Sequence, residues 1–238
     1  AYDIWYNIDT SSVINTSGDD LAWYMEDALK SGSFRMLFRA LKKVLREGGL
    51  DIEPLVRLVK EVLDEDKIRK SPIGFGMVTV DITKRRALEI YKEEIPQGKL
   101  ADYVIASASY PVFQRTVIEG SSFIDGGLYN VLPINMVSRK GYTDIFVIRT
   151  YGMGIKRRVD MSDLNIISIA PKESLGSTMD FSNENSRRNL KLGYFDAYRK
   201  LKQLKGEKYY IIPMGNDRFF IDYLMNMSDE KIKRLCRL

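Results

Sequence analysis

Apolar positions recur along this 238-residue chain with two different periods, and the point where the period changes divides it into regions. Residues 21 to 30 and 33 to 47 follow a helical period. In the second stretch Phe34, Leu37, Phe38, Leu41, Val44 and Leu45 recur at steps of three and four, while Arg35, Arg39, Lys42, Lys43 and Arg46 fill the opposite face. Gly48-Gly49 stops that helix. Asp51 then suits an N-cap, with Pro54 in the first turn of a helix whose Leu55, Leu58, Val59, Val62 and Leu63 share one stripe. The polar run that follows predicts a turn or short helix ended by Pro72.

From residue 73 the pattern becomes that of strands. "IGFGMVTVDIT" (73 to 83) and "RALEIYK" (86 to 92) are rich in β-branched and aromatic residues and flank a polar Thr-Lys-Arg turn, which predicts two strands. Residues 99 to 109 predict a helix broken by Pro111. "DIFVIRTY" (144 to 151) and "LNIISIAP" (164 to 171) are short and almost wholly apolar, as strands covered on both faces of a parallel sheet are. A long helix between Ser182 and Leu204 carries Leu190, Gly193, Tyr194, Ala197, Leu201 and Leu204 on one side, "KYYIIP" (208 to 213) predicts a further strand, and helical segments near 216 to 226 and 228 to 236 follow. Strands alternating with helices predict an α/β fold with a central, mostly parallel sheet flanked by helices. No repeat, low-complexity tract or linker interrupts the sequence, so residues 1 to 238 are expected to form one domain.

Composition narrows the function classes. A hydrophobic content of 45% supports a packed core and argues against disorder. The 37 Lys and Arg outnumber the 32 Asp and Glu, a net +5, but they fall in small groups such as Lys84-Arg85-Arg86, Lys156-Arg157-Arg158 and Arg187-Arg188. No block is dense enough to imply nucleic acid. The lone Cys236 rules out an intrachain disulfide, and a reducing cytoplasm is the expected compartment. The longest nearly apolar run, residues 103 to 113, is well short of the roughly 20 residues needed to span a bilayer. No basic-then-apolar signal opens the sequence, which leaves a peripheral membrane role open. "AYDIWYNI" at its start reads like the middle of an element, so an upstream segment is expected.

The chain contains no histidine. Ser-His-Asp and Cys-His catalysis are therefore excluded within it, as are histidine-ligated metal sites. If acyl transfer occurs, a carboxylate must serve as the base, and an Asp with a solution pKa of about 3.9 needs burial or direct contact with the nucleophile to do so. In "SSFIDGGLYNVLPIN" (121 to 135) Asp125 stands between an apolar pair and Gly126-Gly127. One reading makes Asp-Gly a hairpin turn. The other uses the two glycines to let a backbone or a substrate approach the carboxylate closely.

"ASASYPVF" (106 to 113) followed by "FIDGGLYNVLPIN" resembles the second half of the patatin-like phospholipases. "GGLDIEPL", "GFGMVTVDIT" and "SLGSTMDFS" are also similar to segments that flank this motif in bacterial members, so the resemblance covers most of residues 20 to 200. In that family a serine in a Gly-x-Ser-x-Gly elbow attacks the ester carbonyl, an aspartate takes its proton without histidine, and an upstream glycine-rich loop binds the oxyanion. The resemblance makes Asp125 the dyad aspartate, with Gly126 and Gly127 completing its motif. Neither Gly-x-Ser-x-Gly nor the glycine-rich loop occurs in the 238 residues; "SGSF", "GSSF" and "LGST" lack the second glycine. The expectation is thus the C-terminal part of a patatin-like hydrolase, catalytically incomplete as it stands, with the nucleophile upstream.

Ser107 and Ser109 are expected to pack a helix end, because nothing beside them makes the exposed, strained turn a nucleophile needs. Asp180 with Ser182 reads as the cap of the long helix. No acidic spacing forms a metal loop, so neither metal nor other cofactor is expected, and nothing in the pattern specifies an oligomer. The basic face at 33 to 47 is either a solvated surface or a contact with an anionic membrane; in the second case reversing Arg35, Arg39 and Lys43 lowers vesicle binding. Two functions follow: an acyl hydrolase acting on lipid or other carboxylic esters through an acyl-enzyme, or a non-catalytic membrane-surface or protein-binding domain of the same fold.

Overall fold

A computed structural model describes residues 2–15, 39, 42–43, 46, 48–152, 154–206, 212 and 217–235. The predicted helix at 21 to 30, most of that at 33 to 47 and nearly all of the strand at 208 to 213 lie outside the described residues. Arg39, Lys42, Lys43 and Arg46 are helical and exposed, as their face of the predicted helix requires. The chain forms two compact units, Ala1–Gly193 and Tyr194–Leu238.

The first unit opens with α1 (Tyr2–Asn7) and a short turn at Thr10–Ser12, and continues after Gly49 with α2 (Glu53–Val62) and α3 (Glu65–Lys70). Asp51 accepts the Glu53 N–H at 2.9 Å, so it serves the start of α2 as expected although the helix begins one residue later than its side chain suggests. Asp64 caps α3 through the Lys67 N–H. Then come the strands β1 (Gly76–Asp81) and β2 (Arg86–Tyr91), the helix α4 (Leu100–Ser107), the strands β3 (Thr116–Ile118) and β4 (Ser121–Asp125), a 3-10 turn at Gly126–Leu128, α5 (Ile134–Ser138), β5 (Asp144–Ile148) and β6 (Asn165–Ile169). The long helix α6 (Asn183–Leu201) starts in this unit, and α7 (Asp217–Met225) and α8 (Asp229–Leu235) belong to the second.

The sheet corrects the sequence reading. Among the described residues the larger sheet has four strands in the order β2-β1-β4-β3, and every pairing in it is antiparallel. The connections explain this: β1 and β2 are joined by a turn of four residues, and β3 and β4 by Glu119-Gly120 alone, whereas a parallel pair needs a crossover of roughly a dozen residues. Among the described residues the one parallel strand pair is β5 with β6, as their apolar runs predicted, with an isolated parallel bridge at Leu50 and Phe113. The nearly continuous apolar run of β1 reflects a central strand covered on both faces, which an antiparallel sheet also produces when a helix packs on it. Full coverage was expected of β5 as well, but its burial alternates. Ile145 and Val147 are buried, while Phe146 is 59% and Ile148 71% exposed.

α4 lies at the centre of the first unit. Ile105 joins the cluster of Ile8, Val13, Ile14, Leu50, Ile52, Val112 and Phe113. Leu100 and Val104 meet Met77 and Ile95, and Ala106 meets Ile118 and Phe123. The helix begins where Glu65 accepts the N–H groups of Gly98 and Leu100, and Arg69 ties Glu65 to the carbonyls of Lys92, Ile95 and Pro96. Lys92 is buried, and its ammonium donates to the carbonyls of Ile68, Ser71 and Ile73, which closes the end of α3. In α6, Ser182 accepts the Asn185 N–H as the expected cap. The predicted apolar stripe of α6 is instead largely open: Tyr194 and Leu201 are exposed, and Asp196, paired with Arg199, is the buried position. No helix among the described residues is long and apolar enough to cross a membrane.

Candidate active site

Asp125 is the last residue of β4, beside the central strand, where it pairs with Thr79. Its N–H donates to the carbonyl of Ser109 at 2.8 Å, so the strand end is tied to the segment that leaves α4. Thr79 is fully buried and its hydroxyl donates to the Ile124 carbonyl, which fixes the same corner from the other side. After Asp125 the chain turns instead of pairing with a following strand. The hairpin reading of Asp125-Gly126 therefore fails; the hairpin that contains β4 is made at its other end by Glu119-Gly120.

The glycine pair has a definite steric cause. A Cβ on Gly126 would lie 2.1 Å from the Val78 carbonyl oxygen and 2.3 Å from its carbon, so the approaching group is the backbone of β1. Gly127 works in two directions. Its N–H donates to Asp125 Oδ1 at 2.7 Å, and its carbonyl accepts the N–H of Ile155 at 2.9 Å from the loop after β5. The following residues are pinned as well: the N–H groups of Tyr129 and Asn130 both donate to the Gly126 carbonyl. Buried Asn130 donates to Asn135, and Asn135 donates to Glu89, which also pairs with Arg139. Burial alone would raise the Glu89 carboxyl, but Arg139 and Asn135 hold it below its ordinary value.

Asp125 is half-buried, and desolvation pushes its carboxyl above the ordinary 3.8, against the opposing effect of the Gly127 N–H. Among the described residues Oδ1 is engaged by Gly127, and no hydrogen bond reaches Oδ2. The site thus presents a desolvated carboxylate with one oxygen held and one free to accept a proton. Tyr110, two residues past Ala108, was part of the motif but received no role from the sequence. Burial, and secondarily the Asp125 charge, raise its phenol above 10.0, which places it in the field of the carboxylate. Only its position beside Pro111 in "ASASYPVF" could have drawn attention to it.

The two serines that leave α4 are committed elsewhere. Ser107 donates to the Val78 carbonyl at 2.7 Å, and buried Ser109 donates to Ile105 O at 2.8 Å and shares a hydrogen bond with Thr116. Both act as packing at the helix end. Among the described residues no group of three or more His, Cys, Asp or Glu is placed to hold a metal ion.

A family model described as patatin-like phospholipase matches residues 1–138, more than half of the chain, and ends at the last residue of α5. The chain belongs to the patatin-like phospholipase family, and so to a class of lipid acyl hydrolases. No curated protein matches it.

Proposed function

We propose that the protein hydrolyses carboxylic esters of lipids with a Ser-Asp dyad in which Asp125 is the base and the serine comes from outside these 238 residues. The observation that carries this reading is the state of Asp125: a desolvated carboxylate, oriented through Oδ1 by Gly127, with Oδ2 unengaged among the described residues. Desolvation raises its affinity for a proton, which brings a weak carboxylate base closer to what deprotonating a serine demands. Ser107 and Ser109 are held by other partners, and no Gly-x-Ser-x-Gly occurs in the sequence, so neither supplies the nucleophile.

The serine hydroxyl would give its proton to Asp125 as its oxygen bonds to the ester carbonyl carbon. The protonated carboxyl would return the proton to the leaving alcohol, and water activated by the same carboxylate would release the acid. The lone cysteine fits work in a reducing compartment.

The test is Asp125→Asn in the full-length gene product. A drop in kcat of about 10²–10⁴-fold on a soluble ester, with the circular dichroism spectrum unchanged, is expected. Near-normal turnover removes Asp125 from the mechanism. Labelling of the parent by a fluorophosphonate separates hydrolase from non-catalytic relative, and peptide mapping of the adduct to a serine outside these residues locates the partner.

A further inference from the structure

The loop between β5 and β6 is built onto the Asp125 turn. Ile155 exchanges two backbone hydrogen bonds with it, donating to Gly127 O at 2.9 Å and accepting from the Val131 N–H at 2.8 Å. Gly154 comes so close that a Cβ there would lie 2.6 Å from Gly127 O. Arg157 stacks its guanidinium 3.7 Å over the Tyr129 ring and donates to the Tyr129 carbonyl. Further on, Val159 packs against the cluster of Ile134, Ile145 and Val147. The loop is therefore held at several points along its length.

Its outer side nevertheless stays open and carries two kinds of group. Tyr151 is 64%, Ile155 56% and Met161 54% exposed, although the Ile155 backbone is fully used. Lys156 and Arg158 are exposed and form no ion pair with a described residue. The acid that follows, Asp160, is turned onto the N–H and hydroxyl of Ser162, which hold its carboxyl below the ordinary value. An apolar and aromatic rim with cations that pair with no described acid, and no acidic residue from 151 to 159, is complementary to an anionic lipid surface: cations pair with headgroups while Tyr and Ile enter the interfacial layer.

We propose that the loop face carrying Tyr151, Ile155, Lys156, Arg158 and Met161 docks on an anionic lipid surface and sets the Asp125 turn against it. Gly127 is the physical link, because its carbonyl holds the docking loop and its N–H holds the carboxylate. What the carboxylate then does at that surface rests on the acyl-hydrolase reading; the docking does not.

The experiment is co-sedimentation of the full-length protein with phosphatidylcholine vesicles, with and without phosphatidylglycerol. The parent pellets with the anionic vesicles, and Lys156→Glu/Arg158→Glu lowers binding by at least about 25-fold, at roughly 5-fold per cation. Tyr151→Ser/Ile155→Ser lowers it by about 10-fold. The comparison pair Arg39→Glu/Lys43→Glu removes as many cations elsewhere and leaves most of the binding. Loop variants that pellet like the parent overturn the proposal. Equal loss from both charge pairs overturns it too, by reducing the contact to net charge. A parent that ignores both vesicles leaves the patch to a protein partner and likewise ends it. Asp125→Asn pelleting like the parent while failing to hydrolyse ester keeps docking and catalysis apart, so either reading can fall alone.

Discussion

Asp125 sits in a conflict that its neighbours sustain: burial disfavours its charge, and a single Gly127 N–H favours it, with burial the stronger effect. A carboxyl whose native pKa is raised contributes stability that is fully present below its unfolded value and is lost as pH rises through the native value. The stability of the parent relative to Asp125→Asn should therefore fall as pH rises above 3.8, then level off once the native carboxyl is ionised. Paired thermal melts of the two proteins across the acid range check this, because groups such as Asp51 and Glu89 titrate in both and cancel in the difference. If Asp125 is the base of the proposed dyad, the same shift puts the acid limb of kcat/KM above the ordinary Asp range, and a limb at or below it would contradict that role. Gly126 offers a second handle at this scale. Gly126→Ala forces a methyl onto the Val78 carbonyl and should cost about 1–3 kcal/mol in a urea titration, with loss of activity as the turn shifts.

At the scale of elements, short connections decided the sheet. Glu119 and Gly120 have φ of 49° and 78°, the doubly left-handed pattern of a tight hairpin turn that matches strand twist. Glycine adopts it freely, whereas glutamate does so at a cost of about 1 kcal/mol. Glu119→Asn, which tolerates that conformation, should raise stability by about 0.5–1 kcal/mol in chemical denaturation. A decrease would show that Glu119 has a compensating role. The hairpin matters for the site because it delivers β4, and hence Asp125, into register beside Thr79.

Across the whole first unit, α4 is the part on which the site depends. It meets three apolar clusters, and the residues leaving its C-terminal end supply the carbonyl that receives the Asp125 N–H. Leu100, with no exposure at all, anchors its first turn. Leu100→Ala should cost about 2–5 kcal/mol of stability, measured by urea unfolding, since the void is enclosed by Met77, Ile95 and partly buried neighbours. A cost below about 1 kcal/mol would mean that the region collapses around the missing side chain.

The helices α2, α4 and α6, both hairpin strands β1 and β2, the Asp-Gly-Gly motif and the family were legible in the sequence, because each rests on local periodicity, capping or a contiguous motif. Ser107 and Ser109 were also read correctly as packing, since a nucleophile's strained turn has a local signature that they lack. The apolar runs of β5 and β6 did foretell their parallel pairing, but neither the direction of the larger sheet nor coverage was legible from such runs: β1 and β5 look alike in sequence, yet one is the middle of an antiparallel sheet and the other shows Phe146 and Ile148 to solvent. Coverage of a strand depends on what packs against it, and that is fixed by contacts distant in sequence. For the same reason only the folded chain showed why Gly126 must be glycine, that Tyr110 lies in the field of Asp125, and that the loop around Ile155 is fastened to the Asp125 turn. The sequence by itself determined which carboxylate stands in the motif. The tertiary structure decided its burial, its one held oxygen and its neighbours, because desolvation is a property of the surroundings and not of the residue.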